Sequence, residues 1–129
     1  MRLSVLIGFL LCSLSFRVAA QDLSSEAVKA FSQGDISSLS TSLSDEVSLS
    51  LINSKKRVPK SEAIVLVNEF LKSSPIVSFQ KKHASVREES AYMIGSLSKQ
   101  EGRYRVNCFY KKENGKFFIH QIRIDKVNE

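Results

Sequence analysis

The stretch RYRVNCFYKKENGKFFIHQIRIDKV, residues 103–127, constrains this chain more than any other, because two alternating runs meet there at Asn114-Gly115. Asn-Gly supplies the positive backbone φ that tight hairpin turns require, so the two runs are expected to pair antiparallel. Two registers are open. In a two-residue type I′ loop, Glu113 pairs with Lys116, Cys108 faces Gln121, and His120 projects from the opposite side. In a three-residue loop with Gly115 in the left-handed region, Lys112 pairs with Lys116 and Cys108 lies opposite His120. A one-residue slip moves a strand's whole apolar set to the other face, so the side-chain pattern weighs between them. Tyr104, Val106, Cys108 and Tyr110 form one apolar row, and Phe118, His120, Ile122 and Ile124 the other. Only the three-residue loop sets both rows on one face. It leaves Arg103, Arg105, Asn107, Gln121, Arg123 and Asp125 on the reverse, with Phe109, Phe117 and Ile119 as apolar exceptions. The pattern therefore favours Cys108 and His120 as cross-strand neighbours, their Cβ atoms about 5 Å apart.

Upstream, Leu23, Ala27, Val28 and Phe31 make a helical stripe, with Ser24 as N-cap and Gly34 as the stop. Asp35 can cap a second short helix through Ile36, Leu39 and Leu43. DEVSLSLIN alternates as a half-buried strand, and SKKRVPK breaks it. Residues 61–73 carry a longer amphipathic helix that Pro75 cannot extend. PIVSFQKKHASV and SAYMIGSLS are two further extended segments, and Lys99 to Gly102 turns the chain into the hairpin. Gly95, interior to a strand, suggests a bulge or bend. Helices followed by a meander specify an α+β domain, with helices packed on the concave face of a strongly curved antiparallel sheet.

The N-terminus reads as an export signal over residues 1–20: Arg2, then an apolar run from Leu3 to Phe16, then small residues at Val18 and Ala20. The run is shorter than the roughly 20 residues a spanning helix needs, and Arg17 follows it, so no stable membrane insertion is expected after cleavage. The expected destination is the periplasm or the medium. Residues 21–129 then form one domain. Cleavage removes Arg2 and Arg17 from a chain of formal charge +6, leaving too small an excess to argue for nucleic acid. Lys55-Lys56-Arg57 and Lys81-Lys82 read as solvated loop or edge-strand charges. Cys12 leaves with the signal, so Cys108 is left without an internal disulfide partner and is expected to be buried.

The element order resembles the nuclear transport factor 2-like superfamily (the cystatin-like fold), which includes ketosteroid isomerases, polyketide cyclases and many non-catalytic modules. The resemblance rests on AFSQGDISSLSTSLSDEVSLSL and YRVNCFYKKENGKFFIHQIRIDK. It points further to a branch of small exported bacterial proteins of unknown activity. The resemblance implies a cone-like sheet around the helices, with a concave face able to hold a ligand.

Candidate chemistry is sparse. Tyr92, Tyr104, Cys108, Tyr110 and His120 are the pocket-lining candidates. A Cys/His dyad needs oxyanion donors and a group to orient the imidazole, and neither is recognisable. One mature cysteine and two histidines, His83 and His120, make no zinc set, and no cofactor is expected. No catalytic residues are assigned. The expectation is an exported, non-catalytic module that binds a small apolar ligand or another protein, including a homodimer through an outer patch of Phe109, Phe117 and Ile119. The alternative is a pocket enzyme of isomerase or cyclase type with His120 as base and Tyr104 or Tyr110 as hydrogen-bond donor.

Overall fold

The computed structural model describes residues 23–128. The export signal read over residues 1–20 lies outside them, as does its junction with the domain assigned to 21–129. No described helix is long and apolar enough to cross a membrane.

Helix α1 covers residues 23–33 and buries Ala27, Ala30 and Phe31. It ends as its sequence dictates: Gly34 takes φ +74°, its N–H reaches the Phe31 carbonyl, and the Asp35 N–H reaches back to Ala30. This paired closure needs the left-handed conformation that glycine adopts without strain. The second helix of the sequence reading is only a 3₁₀ turn, Ser37–Ser42. Its serines compete for backbone hydrogen bonds, which suits a short turn better than an α-helix. The Asp35 carboxylate accepts the Ser37 N–H at 2.9 Å, and Asn68 Oδ1 accepts that of Ile36 at 2.8 Å.

Strand β1 (Leu43–Leu51) turns through Ile52 and Asn53 into β2 (Ser54–Pro59). Thus SKKRVPK does not break the sheet but supplies a strand. Its charges concealed the pattern, since only Val58 is buried. Helix α2 (Lys60–Lys72) starts after Pro59 and buries Ala63, Val67 and Leu71. The meander follows as β3 (Ile76–Val86), β4 (Ser90–Lys99), β5 (Gly102–Glu113) and β6 (Lys116–Lys126).

The strand order is β2-β1-β6-β5-β4-β3, so β2 and β3 are the edges of an open sheet. Both lysine clusters sit in those edge strands, where charge discourages pairing with another chain. The sheet is mixed, because β6 returns parallel to β1 while every other pair is antiparallel. The all-antiparallel expectation missed this long-range closure, made after α2 and the meander have carried the chain across.

One face of the sheet packs with the helices. Ala91, Met93 and Leu97 of β4 and Tyr104, Val106, Cys108 and Tyr110 of β5 are buried in a single apolar cluster with Phe31, Leu39, Val67 and Leu71. Each fully buried large side chain contributes about 1.5–3 kcal/mol. Gly95 is needed for close approach: the Phe79 ring lies where its Cβ would be, 2.3 Å away, and stacks on Phe31 at 5.3 Å between centroids. The expected irregularity falls on its neighbour β3, whose register to β4 shifts between Lys81 and His83.

Candidate functional site

Asn114 and Gly115 have φ values of 51° and 80°, the signs of a type I′ turn, and Glu113 pairs with Lys116. The three-residue loop favoured by the side-chain pattern is therefore corrected. The pairing runs evenly to Tyr110–Ile119, then jumps to Phe109–Gln121, leaving His120 as the extra residue of a β-bulge. Beyond the bulge Cys108 pairs with Ile122 and Val106 with Ile124, so the apolar rows share the helix side. Side-chain alternation marks the right face at that end. The slip expected in the loop is provided instead by a bulge in β6. On the turn side of the bulge the faces are swapped: Ile119 is fully buried and Phe117 packs against the core, so neither joins Phe109 in an outer patch.

The expected Cys108–His120 proximity across the hairpin is consequently overturned. The structure divides the five candidate residues between the two sides of the sheet. Tyr104, Cys108 and Tyr110 are buried in the helix-side cluster, while Tyr92 and His120 line a hollow on the outer side that Tyr110 also borders, and Tyr104 borders a second one.

The helix-side group is occupied by packing. The Cys108 thiol is wholly buried, and loss of hydration pushes its pKa up to about 12. A thiol so held is a poor nucleophile at neutral pH. Burial likewise raises the Tyr110 phenol, whose hydroxyl donates to the Leu23 carbonyl at 3.2 Å. The Tyr104 hydroxyl donates to Glu101 at 3.0 Å, and burial followed by that carboxylate raises its pKa. Lys99, assigned to a turn by the sequence reading, instead ends β4 with its side chain fully buried. It donates to the Phe70 carbonyl and, at 2.7 Å, to Ser73 Oγ, with Glu101 at 3.4 Å. A cation here complements the negative end of α2.

The outer side is different. His120 is about one-quarter exposed at 23%, and its Nε2 lies 3.1 Å from a Glu113 carboxylate oxygen. That nitrogen is buried and the carboxylate is out of line for a hydrogen bond, so the contact is charge pairing available to a protonated ring. Beside it is a hollow of about 380 Å³ lined by Tyr92, Phe109, Arg57, Lys111 and Gln121. A second hollow of about 610 Å³ lies beyond Phe109, which borders both. Its walls include Lys82, Arg103, Arg105 and Asn107, over Ile94 and Ser96. Arg103, Arg105 and Asn107 share the reverse face expected from the sequence, which by itself marks no site there. Their alternation with Tyr104, Val106 and Cys108 was the available signal. Among the described residues no three His, Cys, Asp or Glu side chains gather to hold a metal.

Comparison with known proteins places this architecture. Among solved structures, a protein of Bacteroides ovatus is 38% identical with a TM-score of 0.74, over 79% of this chain and 93% of its own. Another, from Bacteroides uniformis, is 36% identical with a TM-score of 0.77, over 81% and 97%. Both are described as DUF4783 family proteins. An NTF-2 like protein of unknown function from Silicibacter pomeroyi shares the fold at 14% identity, with a TM-score of 0.62 over 88% of this chain and 98% of its own. The fold is thus nuclear transport factor 2-like, as the sequence resemblance implied. No curated protein matches the chain. The model of the domain of unknown function DUF4783 matches residues 24–125, and the chain belongs to that family.

Proposed function

We propose that this protein is an exported, non-catalytic binding module whose working surface is the outer face of the sheet. The observation that carries this reading is the division of labour between the faces. Tyr104, Cys108 and Tyr110 are buried in the core, Tyr104 and Tyr110 only bordering the hollows, whereas exposed polar and aromatic groups surround hollows of about 610 and 380 Å³ on the other side. Such volumes suit small-molecule sites. Export rests on the signal read over residues 1–20. The test is thermal unfolding of the purified protein against a panel of apolar, anionic and cationic small molecules. At least one class should raise the midpoint, and outer-face substitutions should remove the shift. A panel without any stabilising ligand would overturn the reading.

A homodimer through this face is disfavoured by its charge. Arg103, Arg105 and Arg123 of one copy would meet a surface carrying the same groups, and Phe109 alone of the expected apolar contact is exposed. Gel filtration should give a monomer. The enzymatic reading has one observation in its favour, the hollow beside His120 and Tyr92. It requires the imidazole to take a proton from a ligand in that hollow, although Nε2 is buried against Glu113. Enolisation of a cyclic ketone that is lost in His120→Ala would establish it.

A further inference from the structure

We infer that the larger outer hollow is a binding site for an organic anion, a carboxylate or phosphate group carried on an apolar body. This rests on the outer-face reading above and names the ligand class. Three cationic residues, Lys82, Arg103 and Arg105, line the hollow, and among the described residues no Asp or Glu does. Opposite Arg105, across β5 and β6, stands Asp125. It is already engaged by Arg123 Nε at 2.8 Å. Lys82 donates to the neutral Gln80 amide at 3.2 Å, so its charge is not cancelled there either.

The backbone sets these charges around one spot. Lys82 is the residue skipped where the β3 register jumps from Lys81–Gly95 to His83–Ile94, and it lines the hollow from that bulge. Arg105 is paired with Ser96 on β4. The two cations therefore flank β4 from strands about 10 Å apart, with the Ser96 hydroxyl between them. An anionic group above Ser96 can meet the ammonium on one side and the planar guanidinium fork on the other. Ile94, Phe109 and Val127 provide the apolar part of the lining, which inorganic phosphate alone would leave unused.

Isothermal titration of the protein with decanoate and decyl phosphate below their micelle concentrations, and with phosphatidylglycerol vesicles, covers the free and membrane-borne forms of this chemistry. Saturable binding of either form is the expected result, weakened about tenfold by Arg105→Gln or Lys82→Gln and by raised salt. Lys116→Gln, exposed at the hairpin turn and lining neither hollow, should leave the affinity unchanged, and circular dichroism should show all three variants folded. The inference is overturned if decyl maltoside or inorganic phosphate binds as tightly. It is equally overturned if Lys116→Gln weakens binding as much as Arg105→Gln, or if neither hollow substitution matters. Should other ligand classes stabilise the protein while these do not, the inference fails and the outer-face reading stands. Should nothing bind, both fall.

Discussion

The two faces of β4 and β5 are built from alternate residues of the same strands, yet one is buried under the helices and the other stands open. On the helix side, Met93, Leu97, Val106 and Cys108 are almost completely removed from water and interlock with the helices. On the outer side, Arg103, Arg105 and Phe109 stand exposed around hollows that the fold leaves unfilled. If the outer face binds ligand as proposed, stability and binding are separable here at the level of neighbouring residues. A side chain pointing inward is consumed by packing, and its chemistry is suppressed by dehydration. One pointing outward keeps its charge and hydration, and can be exchanged without disturbing the core.

The sharpest way to break this comparison is to overfill the helix side. Gly95→Ala places a methyl group 2.3 Å from the Phe79 ring, which cannot retreat without giving up its stack on Phe31. The expected loss is about 2–3 kcal/mol in urea unfolding. Adding Phe79→Leu should recover part of it, because the smaller side chain makes room. A double variant no better than the sum of its parts would show that the ring contact is not the cause.

Alkaline pH tests the same face with less disturbance. Burial raises the Cys108 thiol from 9.0 to about 12, so between these values the unfolded chain sheds a proton that the folded chain retains. Stability is therefore undiminished below pH 9 and falls as pH rises toward 12, by up to about 1.4 kcal/mol per pH unit. The raised phenols of Tyr110 and Tyr104 add to the decline above pH 10. Urea midpoints measured from pH 7 to 10 should fall less steeply in Cys108→Ala. Equal slopes would mean that the thiol is hydrated.

How much of this was legible in the sequence depends on whether local alternation or long-range pairing decides the outcome. The β5 row of Tyr104, Val106, Cys108 and Tyr110 was readable, because one buried face imposes a period of two. The β2 strand was not, since its exposed Lys55, Lys56 and Arg57 carry no apolar rhythm. Nor was the parallel β1–β6 contact, which joins segments from opposite ends of the domain. The candidate site was obscured by a single residue. With a bulge at His120, the short Asn-Gly turn and the aligned apolar rows coexist, although no unbroken ladder satisfies both. The residue left unpaired can be tested directly. Deleting His120 joins Ile119 to Gln121 with inward and outward alternation preserved, so the cost should be modest, about 1 kcal/mol. Deleting Arg123 instead joins the buried Ile122 and Ile124, places two inward residues in succession and should be several times worse. Equal losses would contradict the bulge.

The smallest expected effect is on the outer face. Phe109 adjoins the wholly buried Cys108 in sequence, but it is 37% exposed and borders both hollows. Its ring supplies wall rather than core. Phe109→Ser should therefore change unfolding stability by no more than about 0.5 kcal/mol, the range of ordinary surface substitutions. The same substitution removes apolar lining from both hollows, so ligand-induced stabilisation should decline while the ligand-free midpoint barely moves. A ligand-free loss of about 2 kcal/mol or more would place Phe109 among the packing residues, since surface exchanges seldom cost so much. The outer hollows would then be part of the stabilising structure, and the separation of the two faces would fail at the residue where they come closest in the chain.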